Sequence, residues 1–361
     1  MPFLDQTDLL GCVRNSINTR EDEDGYLSFL RFTDLQLQVY EPNPLYRLMS
    51  LCSSGVYLTL DTDAEEFTLE CRTSEINARD LIQIKGEMSF GQVLHLLGDT
   101  LKKVNQAGSR LEIIQHFDLY VNDCYTCAVR LNSGLLKFPL NNPEHRWINV
   151  KIWLPLYKPV YLGCLSICGD WHWRPAEVRR PVLYAFGDSI TQGFITGRPS
   201  FCYVAQLAEL LGMDALNQGI GGALFDPHIL DDLDHLPLPN LVTVAYGTND
   251  WRNSSGIMTI QENTALFFAR LNQLYSRLPI YVLTPIWRDD MDQPQAAGTF
   301  SEVTRLIRKT TEVYPDVRLI DGLSVSPHNP AFYADGYLHP NIYGFSYLAA
   351  RLYREIAGPG V

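Results

Sequence analysis

Hydrophobic and polar residues alternate through much of the first half of the chain, a pattern typical of β-strands that bury one face. In residues 56–60, for example, Val56, Leu58 and Leu60 share one side of an extended chain. The segments with this alternation are 26–32, 35–40, 56–60, 67–71, 111–121, 127–131, 147–153 and 160–167. Many short strands separated by turn residues predict a β-sandwich. One segment has helical spacing instead and predicts an inserted helix, with apolar residues Val93, Leu94, Leu97, Leu101 and Val104.

From about Pro181 the pattern changes to short apolar runs that alternate with longer amphipathic segments. The predicted strands are 182–186, 241–245, 280–283 and 317–320, and the predicted helices are 201–211, 261–278, 300–313 and 342–356. Strands that alternate with helices predict an α/β fold whose parallel sheet has helices on both faces. Residues 171–181 follow neither pattern. We therefore predict a linker there and two domains, 1–175 and 176–361.

Length and composition agree with two globular domains. The chain has 361 residues, of which 46% are hydrophobic and 19% charged, and these values exclude a largely disordered protein. Its 41 acidic and 29 basic residues give a formal net charge of −12. An acidic surface repels phosphate backbones, so we expect no nucleic-acid partner. No run reaches the roughly 18 uncharged apolar residues of a membrane span, so we expect no membrane partner either.

The eight cysteines are predicted to be reduced thiols of a cytoplasmic protein, because the first residues lack the basic and apolar segments of a signal peptide. Two closely spaced pairs, Cys124 with Cys127 and Cys164 with Cys168, resemble zinc-ligand spacings. Both pairs lie in predicted strands, where the odd spacing of Cys124 and Cys127 places them on opposite faces. We therefore expect buried thiols and no bound metal.

Candidate functional residues are found directly after the predicted parallel strands. Ligands bind beyond the carboxyl ends of such strands. The first strand of the second half leads directly to Ser189, and a glycine-rich turn occupies residues 217–222. A third strand precedes Asn249, and Asp335 lies shortly before His339 near the end of the chain. Because parallel strands end at the same edge of a sheet, we expect these residues to meet there.

Together these side chains have the properties that acyl transfer requires. The hydroxyl of Ser189 is a weak nucleophile until a base such as His339 takes its proton, and a carboxylate then orients the imidazole. The negatively charged oxygen of the tetrahedral intermediate needs fixed hydrogen-bond donors. The N–H groups of Ser189 and Gly222 and the amide of Asn249 supply three. No metal or organic cofactor is required.

These segments resemble, in content and in order, the four sequence blocks of the SGNH (GDSL-type) hydrolases, a superfamily of esterases, lipases and acyltransferases. The matching segments are Gly187-Asp188-Ser189-Ile190, Asn217 through Gly222, Gly247-Thr248-Asn249-Asp250, and Asp335 with His339. The resemblance implies a flavodoxin-like three-layer α/β/α domain. It further implies that Ser189 is the nucleophile and that Gly222 and Asn249 belong to the oxyanion hole.

The last block departs from the family pattern. The family usually separates the aspartate and histidine by two residues, whereas three residues separate Asp335 from His339. Two hypotheses remain open at this point. Asp335 orients the imidazole across one helical turn, which brings residues i and i+4 together. Alternatively, a main-chain carbonyl orients His339, and Asp335 is only structural.

Each candidate also has a purely structural interpretation. A serine at a strand–helix turn commonly caps the helix, as Ser189 would, and Asn249 alone would hold a turn. A lone His339 would be a packed or surface histidine. Asp188 and Asp250 are predicted to hold loops by hydrogen bonds rather than to act as acids or bases. Four residues after strand ends have two equal interpretations, as lining of the substrate pocket or as packing between domains: Trp251, Arg252, Trp287 and Arg288.

The first half adds a second resemblance, carried by residues 117–121 and 153–157. They resemble the jelly-roll-like β-sandwich that precedes the catalytic domain of some bacterial SGNH enzymes, and such sandwiches resemble carbohydrate-binding modules. We therefore predict a serine esterase that acts on a short acyl ester of a sugar or small metabolite, with a homo-oligomer left open. Two alternatives remain: an acyltransferase with the same residues, and a glycan-binding protein with an inactive catalytic half.

Overall fold

The computed structural model describes residues 3–4, 6–73, 115–167, 169–177 and 180–358 of the chain. The helix predicted at 93–104 and the first residues of the strand predicted at 111–121 lie outside the described residues. Within the described ranges, no helix combines the length and the hydrophobicity needed to cross a bilayer.

Two antiparallel sheets make up most of the first half. One sheet has the order β3 (Asn18–Glu21), β4 (Leu27–Leu30), β11 (Val160–Ile167), β6 (Glu66–Thr73) and β9 (Gly134–Pro139), and β1 (Phe3–Leu4) also pairs with β11. The other has the order β12 (Trp173–Pro175), β5 (Tyr57–Thr62), β10 (Ile148–Trp153), β7 (His116–Val121) and β8 (Cys124–Arg130), and β2 (Val13–Arg14) also pairs with β5. Phe67 of one sheet and Val150 of the other belong to the same buried cluster. The two sheets therefore pack face to face, as a sandwich does.

The prediction of a strand at 35–40 is wrong. After α1 (Gln6–Cys12), these residues form α2 (Asp34–Tyr40), which α3 (Pro44–Ser50) follows. The Thr33 hydroxyl accepts the Gln36 N–H at 3.2 Å, and the Gln36 side chain accepts the Thr33 N–H at 3.0 Å. This capping box satisfies N–H groups that a helix start otherwise leaves unpaired, so it outweighs the alternation of apolar residues.

The second half contains a parallel sheet with the order β14 (Asp214–Gly219), β13 (Val182–Gly187), β15 (Leu241–Ala245), β16 (Ile280–Leu283) and β17 (Val317–Ile320). The four strands predicted for this half are confirmed. The second strand in the chain lies outside the first, and the later strands extend the other edge. This is the flavodoxin-like strand order.

Helices cover both faces of the parallel sheet. They are α4 (Ser189–Gln192), α5 (Tyr203–Leu211), α6 (Thr248–Asn253), α7 (Ile257–Tyr275), α8 (Phe300–Thr311), α9 (Gly322–Val325) and α10 (Ile342–Ala357). Phe186 of β13 packs in one buried cluster with Phe267 of α7, whereas its neighbour Ala185 packs in another cluster with Leu207 of α5 and Phe345 of α10. Successive strand residues thus face opposite helical layers, which makes the domain three-layered.

The two halves of the chain share buried clusters. Tyr40 and Met49 of the first half lie in the same cluster as Tyr184 of the parallel sheet. The predicted linker at 171–181 is partly wrong, because Trp173–Pro175 forms β12 and pairs with β5. A domain boundary near residue 175 would separate the sandwich sheets from the parallel sheet, although the two halves share a hydrophobic core. The division into domains 1–175 and 176–361 stays a proposal.

Candidate active site

Three of the four candidate segments lie beyond neighbouring strand ends, and the fourth, with Asp335 and His339, lies between α9 and α10. Gly187 at the end of β13 is aligned with Gly219 of β14 on one side and with Ala245 of β15 on the other. The chain passes very close to itself here, since a Cβ atom on Gly219 would lie 2.3 Å from the Gln192 nitrogen. Only glycine allows that approach, which brings the end of β14 against the last turn of α4.

Ser189 is the first residue of α4, and its neighbour caps the helix. Asp188 is the N-cap, with Oδ1 accepting the N–H of Ile190 at 2.9 Å. The structural interpretation of Ser189 as the cap is therefore wrong, and its hydroxyl is available for another partner. That partner is His339, whose Nε2 lies 2.9 Å from the Ser189 Oγ.

The imidazole of His339 joins the serine to a carboxylate. Its Nδ1 lies 2.7 Å from Oδ2 of Asp335, while its Nε2 faces Ser189. The side chain of Asp335 is fully buried, and that of His339 is 8% exposed. The order hydroxyl, imidazole, carboxylate is the one that activates a serine.

The longer spacing between Asp335 and His339 is accommodated by a tight turn. The second carboxylate oxygen, Oδ1, accepts the N–H groups of Tyr337 at 3.0 Å, Leu338 at 2.8 Å and His339 at 3.1 Å. Gly336 has φ of +65°, a conformation that glycine adopts without strain. Of the two hypotheses for orienting the imidazole, this geometry favours Asp335 over a main-chain carbonyl.

The surroundings of Asp335 keep it ionised. Burial alone would raise the pKa of this carboxyl group, but the nearby charge and hydrogen bond of His339 and the main-chain N–H groups outweigh burial. The net effect holds the pKa of Asp335 below its usual value. A charged carboxylate fixes the N–H of the imidazole on Nδ1, which leaves a lone pair on Nε2 for the serine proton.

Donors for a developing negative charge belong to the neighbouring loops. Gly222 has φ of +84°, and a Cβ on Gly221 would lie 4.0 Å from the Cβ of Ser189, so this turn lies beside the serine. Asn249 lies on α6 and is 9% exposed, and one amide hydrogen bonds the Ala223 carbonyl at 3.2 Å. Its second amide hydrogen is the one we assign to the substrate oxygen. The oxyanion role of these residues stays a proposal.

Sequence reasoning missed Phe194, which packs beside the candidate catalytic groups. Its ring lies 4.8 Å from the His339 ring in an edge arrangement, and its N–H donates to the Ser189 carbonyl at 2.8 Å. The chain position of Phe194, directly after the turn that ends α4, was a usable signal. Arg31 and Tyr46, which contact the turn at 217–222 from the first half, carried no such signal.

The proposed pocket residues have different environments. Trp251 is 0% exposed, and its indole donates to the Gly298 carbonyl at 3.1 Å. Arg288 is 1% exposed and donates to Asp290 at 2.6 Å. Both side chains pack inside the second half, which corrects their assignment to a substrate pocket. Trp287 is partly exposed and lies 4.8 Å from the ring of Tyr333, so its substrate role stays a prediction.

The cysteine pairs lie on the sandwich strands. Cys124 and Cys127 belong to β8 and Cys164 to β11, whereas Cys168 lies outside the described residues. Cys124 and Cys164 are exposed, so the expectation of buried thiols is wrong for these two. The absence of zinc stays a prediction. In the described part of the chain, one group has the proximity that metal binding needs, and it is largely exposed: Asp232, Asp234 and His235.

Two buried carboxyl groups lie next to the site, one on each side of it in the chain: Asp188 directly before Ser189 and Asp250 directly after Asn249. Asp188 and Asp250 are each 1% exposed and accept main-chain N–H groups, from Ile190 at 2.9 Å and from Phe225 at 3.0 Å. Burial raises the pKa of Asp188 to about 7 and that of Asp250 to about 6. Oδ2 of Asp250 has no hydrogen-bond partner among the described residues, which agrees with a carboxyl group that resists ionisation.

We expect Asp250→Asn to stabilise the protein against unfolding above pH 7, relative to the wild type. Native Asp250 retains a proton that the unfolded chain releases near pH 4, so its contribution to stability falls as the pH rises from about 4 to about 6. Asparagine does not ionise, and its carbonyl can still accept the N–H of Phe225. The free energy of unfolding, measured with urea at pH 4 and pH 8, checks this. From pH 4 to pH 8 the value for the variant should rise by about 2 kcal/mol relative to the value for the wild type.

The control for this measurement is Asp292→Asn, which changes an exposed carboxylate. It measures the effect of removing one exposed carboxylate at each pH. If the stability difference for Asp250→Asn changes between pH 4 and pH 8 by no more than that of the control, the pKa of Asp250 is not raised by burial.

Comparison with known proteins finds a family match for the second half and structural similarity over both halves. Residues 185–345 match the model of the GDSL-like lipase/acylhydrolase family. No curated protein sequence matches the chain. Among solved structures, the chain is similar to the salicylyl-acyltransferase SsfX3 from a tetracycline biosynthetic pathway, with 18% identity and a TM-score of 0.73 over 96% of this chain and 93% of that one.

Two other solved structures span nearly the whole chain. One is a protein from Bacteroides ovatus ATCC 8483 described as a GDSL-like lipase, with 17% identity, a TM-score of 0.73, and coverage of 99% of this chain and 97% of that one. The other is a family two carbohydrate esterase from Cellvibrio japonicus, with 16% identity, a TM-score of 0.62, and coverage of 98% and 96%. These similarities extend across the sandwich as well as the parallel sheet, and they show the fold.

Proposed function

We propose that the chain hydrolyses carboxylic esters through an acyl-enzyme on Ser189, because residues 185–345 match the model of the GDSL-like lipase/acylhydrolase family. The observation that carries the proposal is the hydrogen-bonded series of side chains. Ser189 Oγ lies 2.9 Å from His339 Nε2, and His339 Nδ1 lies 2.7 Å from Asp335. Such a series converts a weak hydroxyl into a nucleophile.

The first half of the reaction transfers the acyl group to the enzyme. Ser189 Oγ attacks the ester carbonyl while His339 Nε2 takes the hydroxyl proton, and Asp335 stabilises the resulting imidazolium. The tetrahedral oxyanion accepts hydrogen bonds from the N–H groups of Ser189 and Gly222 and from the amide of Asn249. The intermediate then collapses, the alcohol leaves with the proton from Nε2, and the acyl group stays on the serine.

The second half of the reaction releases the acid. Water takes the place of the alcohol and loses a proton to His339 Nε2 as it attacks the acyl-serine. A second tetrahedral intermediate uses the same donors. Its collapse returns the proton to Ser189 Oγ and regenerates the free enzyme, so the cycle needs no metal and no organic cofactor.

We assign the substrate to short acyl, acetyl-like esters of a sugar or a small metabolite. The support is the likeness across both halves to a family two carbohydrate esterase and to an acetyl xylan esterase from Butyrivibrio proteoclasticus. The edge of the Phe194 ring against His339 also adds an apolar side chain next to the reacting groups. The cytoplasmic location and a homo-oligomer stay predictions from the sequence.

An activity-based probe tests the proposal directly. A fluorophosphonate should phosphonylate Ser189, because the reagent reacts with serines that a neighbouring imidazole activates. Peptide mapping by mass spectrometry after labelling should find the tag on the peptide that contains Ser189. Labelling should vanish in heat-unfolded protein and in His339→Ala. A tag on another serine, or no tag on the folded protein, would reject the proposal.

An acyltransferase is the second candidate function. The salicylyl-acyltransferase SsfX3 resembles this chain over both halves, and transfer uses the same three side chains as hydrolysis. The two reactions differ only in whether water or a bound alcohol attacks the acyl-serine. Chromatography of products formed with candidate sugars present distinguishes the two reactions. Both release the original alcohol, but transfer places the acyl group on the sugar as a new ester, whereas hydrolysis releases it as the free acid.

A glycan-binding protein with an inactive catalytic half is the third hypothesis. The contact between Ser189 Oγ and His339 Nε2 at 2.9 Å argues against it, because this contact lets the imidazole take the serine proton. Glycan binding without fluorophosphonate labelling would favour this hypothesis over the esterase.

A further inference from the structure

The turn at 217–222 is held in place by a buried arginine from the first half. Arg31 is 0% exposed and donates hydrogen bonds to four main-chain carbonyls. Two belong to the turn, Asn217 at 2.5 Å and Gly219 at 3.0 Å. The other two, Cys52 at 2.8 Å and Met49 at 3.2 Å, lie in the first half. A buried charge is tolerated only with such compensation, so the guanidinium connects the turn firmly to the sandwich side.

A pair of glutamines strengthens the same connection. Gln36 of α2 donates to the Gln218 side chain at 2.8 Å and to the Ile229 carbonyl at 2.7 Å. Gln218 in turn donates to the main-chain carbonyl of Arg31. Both glutamines are buried. The last three residues of β14, 217–219, with which the segment 217–222 begins, are therefore fixed by side chains and main-chain atoms of the first half.

The oxyanion glycine is held from the same direction. The Tyr46 hydroxyl of α3 donates to the Gly222 carbonyl at 2.9 Å. On the preceding residue, the Gly221 N–H donates to the Gln192 side chain at 2.8 Å. These two bonds lie on either side of the peptide that carries the Gly222 N–H. Because glycine at φ of +84° has much conformational freedom, the bond from Tyr46 limits the directions in which that N–H can point.

The Tyr46 hydroxyl is itself well positioned. Asn43 caps α3, and its side chain accepts the N–H groups of Leu45 at 3.0 Å and Tyr46 at 3.3 Å. The Tyr46 ring packs edge-on against Tyr40, with centroids 6.0 Å apart. Burial raises the pKa of the Tyr46 hydroxyl above its usual value, so it stays a donor throughout the neutral and mildly alkaline range.

We propose that Tyr46 is a positioning residue for the oxyanion glycine Gly222, so that the first half of the chain completes the active site of the second. The inference rests on the proposed esterase function. Tyr46 touches no reacting atom. It acts on catalysis by holding the Gly222 N–H toward the tetrahedral oxyanion, where donors contribute most in the transition state.

Tyr46→Phe removes the single hydroxyl and keeps the ring. We expect kcat for p-nitrophenyl acetate to fall roughly tenfold while KM changes by less than about twofold, because the lost bond orients a transition-state donor. Phenylboronic acid, which forms a tetrahedral adduct with an active serine, should bind the variant more weakly by a similar factor. The loss should be constant from pH 6 to pH 9, since the hydroxyl does not transfer a proton.

Tyr184→Phe is the matched control. The Tyr184 hydroxyl also donates to a main-chain carbonyl, that of Pro237 at 2.7 Å, but that bond does not involve the turn at 217–222. Its kcat and boronate affinity should equal those of the wild type. Active-site titration with a fluorophosphonate counts only folded active sites, and kcat is expressed per active site. A variant that is partly unfolded therefore does not show a lower kcat for that reason.

The possible outcomes separate the inference from the proposed function. Wild-type turnover with a Tyr46→Phe kcat within twofold of it would overturn the positioning role and leave the esterase function standing. An equal loss in Tyr184→Phe would also overturn it, because the effect would then be general to buried hydroxyls. A wild-type protein with neither turnover nor labelling would overturn both.

Discussion

Ser189→Ala is expected to lower kcat/KM for p-nitrophenyl acetate by at least about a thousandfold. The Ser189 Oγ lies 2.9 Å from the base that activates it, and alanine offers no atom that can form the acyl-enzyme. The residual rate should reflect only substrate binding and the oxyanion donors. Release of nitrophenolate per mole of folded protein measures the effect.

The Ser189→Ala variant should fold normally, which makes the measurement clean. Asp188, not Ser189, caps α4, so the substitution removes no capping hydrogen bond. Ser301→Ala changes an exposed serine at the start of α8 and should keep full activity. Unchanged turnover in Ser189→Ala would reject the acyl-enzyme mechanism.

Asp335→Asn is expected to lower kcat by about two to four orders of magnitude. The asparagine carbonyl can still accept the N–H groups of Tyr337, Leu338 and His339, so its amide nitrogen then faces the imidazole. A donor at that position makes Nδ1 of His339 an acceptor and moves the ring hydrogen to Nε2. The imidazole then has no lone pair for the serine proton. Steady-state kinetics with p-nitrophenyl acetate measure the loss.

Asp321→Asn is the matched control for this substitution. Asp321 also accepts a main-chain N–H, that of Leu323 at 3.2 Å, where it caps α9. Its conversion to asparagine should change kcat by less than about twofold, because the residue is outside the triad. If Asp335→Asn kept kcat within threefold of the wild type, the alternative in which a main-chain carbonyl orients His339 would replace the triad.

The second half was predictable because its pattern is repeated and mostly local. Strands such as β13 (Val182–Gly187) are short apolar runs buried on both faces, and helices such as α8 (Phe300–Thr311) carry one apolar side. Each element can therefore be recognised from the pattern of its own residues. The order of the strands in the sheet follows from the resemblance to a known family rather than from these runs.

The first half was harder to predict because its alternation is not unique to strands. Residues 35–40 alternate in polarity, yet the capping box of Thr33 and Gln36 makes them helical. A capping hydrogen bond is worth about 1 kcal/mol, enough to decide a short segment whose burial suits either structure. Trp173–Pro175 pairs with β5 although its own residues show no strand pattern.

The amino-acid sequence alone identified the residues with the chemistry of ester hydrolysis, because a serine, a histidine, an aspartate and glycine-rich segments are visible as residue types in order. The folded structure was needed to show that Asp335 reaches His339, since three intervening residues can be folded in several ways. It also decided that Tyr46 supports Gly222, a contact across 176 residues of chain. Such contacts arise from the packing of whole elements against one another, so no local pattern records them.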